Sequence, residues 1–183
     1  MASILSDKPE VELLDGRAYS KVSPKARHAS VQGRLMTIIE DLAGDRGFSG
    51  TEWRFKIGRA DDTNTTFVPD VAYVSFERLR AIPEKQRDEP PFAPDIAVEV
   101  RSPSDNLAFL RRKIERYLQT GSVLVLVADP DRRSIAAHDS HGVRDYAAGD
   151  RFEHQAVPWL RFNVSSVFAR LDSLLDKPVR GSL

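Results

Sequence analysis

The chain has no cysteine in its 183 residues. That excludes disulfides and thiolate-held metals, and it suits a reducing cytoplasm, the compartment expected here. No apolar run approaches the roughly 18 residues that span a bilayer, so no membrane helix is expected. The opening segment MASILSDKPEVE has no basic region and turns acidic at once, which reads against a secretory signal. An excess of one charge is also missing. Lys+Arg and Asp+Glu both number 27, for a formal net charge of zero. There is then no long-range pull toward a polyanion, and any nucleic-acid surface has to be a local patch. Aromatic residues make up only 8% of the chain, little for the aromatic-lined cleft of a carboxylate-pair glycosidase. His138, His141 and His154 fall without metal-ligand spacing and read as structural or surface residues.

What is present is an ordinary globular composition, 41% hydrophobic and 30% charged, with no repeat or low-complexity stretch. A single domain over residues 1–183 is expected. SPKARHASVQGRLMTIIEDLAGDRG predicts a helix with Ser23 as N-cap and Pro24 in its first turn. Val31, Leu35, Ile38 and Leu42 form its apolar face, and Gly44 or Gly47 ends it. TEWRFKIG, FVPDVAYVS and PDIAVEVRS predict three strands, with a long charged loop before the third. SPSDNLAFLRRKIERYLQTG predicts a second helix, capped by Ser102 and Ser104 and stopped at Gly121. Leu107, Leu110, Ile114 and Tyr117 mark its apolar face. SVLVLVADP suits a central strand covered on both faces. RRSIAAHD, VRDYAAGDRF and PWLRFNV read as a small antiparallel annex. NVSSVFARLDSLLD reads as a closing helix with Phe168, Leu171, Leu174 and Leu175 on one side. The order predicts an α/β (α+β) fold, a central mixed sheet flanked by helices.

The third strand carries a carboxylate, Glu99, between Val98 and Val100. Side chains alternate along a strand, so Asp95, Ala97, Glu99 and Arg101 share one face, and Ile96, Val98 and Val100 share the other, the expected core face. Four residue steps separate Asp95 from Glu99 by about 13 Å, too far for one metal ion. Asp95 is therefore expected to support the site from behind or to be structural. The partner for Glu99 has to come from another strand, and Asp70 in VPDVAYV is the candidate. Adjacent strands lie about 4.8 Å apart, close enough for both carboxylates to reach one ion. Two acids with a backbone carbonyl and waters make a hard oxygen site of the kind Mg²⁺ prefers. Lys113 lies roughly 80° from the centre of the second helix's apolar stripe, on its rim, from where its ammonium can turn toward the sheet. Asp, Glu and Lys around a metal suit phosphodiester hydrolysis.

The series VPDVAYVS, then PDIAVEVRSPSD, then RRKIERYLQTG, then LVADPDRR resembles a family of small stand-alone proteins described as putative restriction endonucleases. That family lies within the PD-(D/E)XK nuclease superfamily. The likeness begins at VELLDGRAYS and SPKARHASVQGRL and runs to VPWLRFNVSSVF. It implies a restriction-endonuclease-like core and Mg²⁺-dependent (or Mn²⁺-dependent) cleavage of DNA. By position Asp70 matches the Asp of PD and Glu99 the acid of (D/E)XK. Arg101 stands where the superfamily has lysine, and Lys113 on the following helix matches the lysine instead. Arg101 cannot act as a base but can hold a phosphate oxygen. The resemblance also implies the Val100 carbonyl as third metal ligand, and His28 matches a family histidine, which leaves a role near the substrate and a plain surface or capping role both open. The strand VLVLVADP lacks the family's usual aromatic pair, a change in how the core packs.

Other readings stay open at this point. Glu99 can pair with Arg101 or Lys113 as an ion bridge, Asp70 can be a strand-entry residue after Pro69, and Lys113 can be solvated. Glu40 is a remote candidate for the metal, and LLDG around Asp15, after Glu12, reads most simply as a turn. The competing function is a catalytically weak nuclease fold that binds DNA or protein. Cutting both strands of a duplex requires two sites, so a homodimer is expected.

Overall fold

The computed structural model describes residues 11–20, 25–58, 65–103 and 105–175. β1 (Val11–Leu14) and β2 (Arg17–Ser20) form a hairpin whose two-residue loop is Asp15-Gly16. Both loop residues have positive φ, 50° and 75°, the conformation Asp-Gly favours in a tight hairpin turn. The expected turn is therefore present, but it joins two strands that the short polar pattern did not announce. Helix α1 (Ala26–Ala43) ends at Gly44, which has φ 51°. Its N-cap position is Lys25, and Ser23 and Pro24 lie outside the described residues.

The predicted strand TEWRFKIG is broken. β3 (Gly47–Thr51) stops at Glu52, which has φ 52°, and β4 (Phe55–Lys56) belongs to another sheet. FVPDVAYVS divides in the same way into β5 (Thr66–Phe67) and β6 (Val71–Ser75). Pro69 stands in the break, where a residue without an N–H cannot continue a ladder. A short helix α2 (Phe76–Arg80) leads into the long loop, followed by β7 (Ile96–Val100), α3 (Leu107–Gln119) and β8 (Leu124–Asp129). β9 (Ser134–Asp139), β10 (Gly142–Ala147), β11 (Arg151–Phe152), β12 (Phe162–Asn163) and α4 (Val164–Leu175) follow among the described residues.

Six strands form the main sheet in the order β10-β9-β8-β7-β6-β3. Among the described residues only β7 and β8 pair in parallel, joined by the crossover through α3. The expected antiparallel annex is thus smaller than the sequence suggested. β9 and β10 extend the main sheet, and only β11 and β12 stand apart. A four-stranded sheet, β2-β1-β5-β4, completes the set.

The main sheet is buried on both faces, so the expectation of one core face on β7 is corrected. Ile96, Val98 and Val100 pack with Val31, Leu35 and Ile39 of α1 and with Val167, Phe168 and Leu171 of α4. On the opposite face Ala97, Val125 and Val127 pack with Ile114 and Tyr117 of α3 and with Leu14, Phe55 and Phe67 of the smaller sheet. All five residues of β7 are buried, as a strand between two layers requires. Two expected core residues are exposed: Leu107 at the start of α3 and Leu174 near the end of α4.

Candidate active site

β6 and β7 run antiparallel with Val71 opposite Val98, and one further step along that register sets Asp70 opposite Glu99. The break at Pro69 delivers Asp70 to this point. The chain leaves the smaller sheet after Phe67 and enters the main sheet at Val71. Asp70 is 2% exposed. Its Oδ2 accepts a hydrogen bond from the Val100 backbone N–H at 2.7 Å and lies 3.1 Å from His28 Nε2 on α1. Gln32, one turn further along α1, donates from Nε2 to the Asp70 carbonyl and to Glu52 Oε1, both at 2.9 Å.

Glu99 enters the same end of the sheet from the α3 side. Its Oε1 accepts from Tyr117 Oη at 3.0 Å and lies 2.8 Å from Lys113 Nζ. Lys113 and Tyr117, four residues apart, share one face of α3. Lys113 is 3% exposed, so it lies inside the apolar face and not on its rim as the spacing suggested. The cause is a second carboxylate. Glu12 of β1 accepts from Lys113 at 2.8 Å through Oε1, and the same oxygen accepts from the Val68 N–H at 2.8 Å. The ring of Phe67 lies 5.5 Å from the ammonium. Burial alone would lower the Lys113 pKa, but the charges of Glu99 and Glu12 outweigh it and the pKa is raised. Burial, then the Glu99 charge, pushes the Tyr117 phenol well above its ordinary value. Tyr117 is therefore a neutral donor. The Asp70 charge contributes to that shift, so the two carboxylates lie within electrostatic reach of one phenol.

Among the described residues Glu12, Asp70, Glu99 and Lys113 are the only buried Asp, Glu, Lys or Arg side chains, and all four gather here. Two of the carboxylates, Glu12 and Glu99, face the one ammonium, and Asp70 faces His28, in a place where unpaired charge is costly. Among the described residues no group of three or more His, Asp or Glu side chains forms a metal cluster. The residues that could hold a cation here are Asp70, Glu99 and a backbone carbonyl. In a strand the N–H and C=O of one residue project to the same edge, so the Val100 carbonyl faces the edge on which its N–H meets Asp70. Hard oxygen donors and excess negative charge both suit a divalent cation.

The remaining candidates divide. Arg101 Nη1 pairs with Asp129 Oδ2 at 2.8 Å, beside a cavity of about 180 Å³ lined by Arg101, Ser102, Pro103, Asp129, Asp131 and Arg132. Asp95, at the far end of β7, accepts from the Ser75 N–H at 2.6 Å and from Arg78 at 2.7 Å, tying down the start of α2. Glu40 is exposed on α1. His154 pairs with Asp139 at 3.4 Å, away from the site. The cap of α3 is Asn106, whose Oδ1 accepts from the N–H groups of Ala108 and Phe109. Ser102 instead donates its N–H to Asp105, and Ser104 lies outside the described residues.

A family model described as Uma2, putative restriction endonuclease, matches residues 2–165. The chain belongs to the Uma2 family. Its fold is also that of a solved protein titled a putative nuclease belonging to DUF820 from Anabaena variabilis. The two share 18% identity with a TM-score of 0.79, over 92% of this chain and 94% of the other. No curated protein matches this chain. In this Uma2 chain the sequence reading missed Glu12, Gln32 and the Tyr117 hydroxyl as members of the site. A polar residue inside an otherwise apolar period is the one signal available for Gln32 between Val31 and Leu35. For Glu12 the local sequence carries none.

Proposed function

We propose that the protein hydrolyses phosphodiester bonds in DNA, with a divalent cation, Mg²⁺ or Mn²⁺, held by Asp70, Glu99 and the Val100 carbonyl. The observation that carries this reading is the collection at one strand end of the four Asp, Glu and Lys side chains that are buried among the described residues, three of them acidic and one basic. When bound, the cation would supply charge neutralisation at the phosphate and a more acidic water. The chain's own residues do the rest. Asp70 is oriented by the Val100 N–H and His28, and Glu99 by Tyr117 and Lys113. Lys113, kept charged by its two glutamates, is a donor for the attacking water or for the phosphate oxygens as charge builds on them. Its raised pKa argues against a role as a neutral base. Arg101 at the cavity beside β7 is suited to a neighbouring phosphate oxygen, and His28, 3.1 Å from Asp70, to a contact beside that carboxylate. A symmetric homodimer would bring two such sites to a duplex.

A second reading, a nuclease fold kept for binding DNA or protein, is favoured by one observation: Lys113 already satisfies Glu99 as an ion pair. Cleavage of supercoiled plasmid with Mg²⁺ or Mn²⁺ separates the two. Wild type is expected to cut. Asp70→Asn, Glu99→Gln and Lys113→Met are each expected to lose at least about 100-fold in rate, the scale of removing one preorganised charge-stabilising group. Wild type that binds plasmid but leaves it intact favours the second reading. A dimer predicts linear product without a build-up of relaxed circles, and a long-lived relaxed form contradicts it.

A further inference from the structure

We propose that Glu12 is a positioning residue that draws Lys113 off Glu99 when the site takes up its cation; this rests on the reading of Asp70 and Glu99 as cation ligands. Lys113 Nζ lies 2.8 Å from Oε1 of Glu99 and 2.8 Å from Oε1 of Glu12, so one ammonium is shared equally between two carboxylates. An ammonium and a divalent cation would both draw on the Glu99 carboxylate. Were Glu99 the sole partner, uptake of the cation would strand a buried ammonium, and a buried charge stripped of its partner is strongly unfavourable. Glu12 removes that penalty, because Lys113 keeps one carboxylate throughout and stays in the site as a donor.

Glu12 is built into this position from two sides. Its Oε1 also accepts the Val68 N–H at 2.8 Å, on the crossing segment that delivers Asp70. The hairpin that carries it is tied to α3, since Asp15 in the turn pairs with Arg112 and Arg116, the neighbours of Lys113 along the helix. The β1–β2 hairpin is therefore tied by ion pairs to the helix that presents the lysine. Glu12 acts on the cation through Lys113.

The test is calorimetric titration of Mn²⁺ into wild type, Glu12→Gln, Lys113→Met and the double variant. The amide carbonyl that Glu12→Gln introduces can still accept the Val68 N–H, and thermal melts check that each variant folds. Glu12→Gln alone is expected to weaken Mn²⁺ binding about tenfold, a coupling of the size found between contacting residues. In the Lys113→Met background the same change is expected to leave affinity within about twofold, because the residue it acts through is gone. Lys113→Met alone is expected to bind Mn²⁺ more tightly than wild type. Equal binding by Lys113→Met and wild type overturns the competition even if Glu12→Gln does not fold. An unchanged Glu12→Gln, or an undiminished Glu12→Gln effect in the Lys113→Met background, overturns the positioning role alone. Wild type that takes up no Mn²⁺ overturns the reading of the site, and this inference with it.

Discussion

Lys113 is held where it is by charge on two sides and by the rings of Phe67, Phe109 and Tyr117 near its ammonium. The phenol of Tyr117 completes the set by donating to the same Glu99 oxygen, Oε1, that faces the ammonium. Tyr117→Phe keeps the ring in the core and deletes that one donor. A hydrogen bond to a charged carboxylate contributes about 1.5–3 kcal/mol. In a domain of this size that lowers the melting temperature by roughly 3–12 °C. Calorimetric melts read this, and an unchanged midpoint would show that the bond contributes nothing. Asp70 and Glu99 were legible as strand acids among apolar neighbours, and Lys113 as a helix residue near the buried stripe. Glu12 was not, since 101 positions separate it from Lys113 and no local pattern records that partner.

At the scale of elements, α3 carries both Lys113 and Tyr117, so the seating of its first turn matters. Asn106 accepts from two N–H groups that would otherwise lack partners. Asn106→Ala is expected to cost about 1 kcal/mol, read as a lower urea midpoint with unchanged slope. An unchanged midpoint would contradict the capping role. The helices were legible because their apolar spacing is long and regular. The strands were legible as apolar runs, but not their division between two sheets. TEWRFKIG alternates correctly, with Phe55 and Ile57 buried and Arg54 and Lys56 exposed, yet β4 and β3 lie in different sheets. Alternation reports which face a side chain takes, and says nothing about which ladder the backbone joins. The turn at Glu52, left-handed at a residue other than glycine, is a tertiary effect that no propensity foretells.

For the whole molecule, the decisive feature is a mixed sheet covered on both faces, with the candidate site at the end of β6 and β7. Burial on both sides desolvates Glu99 and Lys113, and that makes their charges count. The same burial acts on β9, where it lowers the pKa of His138 against a smaller opposing effect of Asp145. The folded state then resists a proton that the unfolded chain accepts near its ordinary value of about 6.5. Stability contributed by neutral His138 is thus intact above that value and falls as pH is lowered through it. Urea midpoints are expected to drop between pH 7 and pH 5, and less so in His138→Gln; equal drops in both would assign the effect elsewhere. The most direct test of the central claim is anomalous diffraction from a crystal soaked in Mn²⁺. The account predicts one strong peak bonded to Asp70, Glu99 and the Val100 carbonyl at about 2.0–2.4 Å, with Lys113 paired to Glu12. A crystal with Lys113 still on Glu99 and no peak between Asp70 and Glu99 would contradict it.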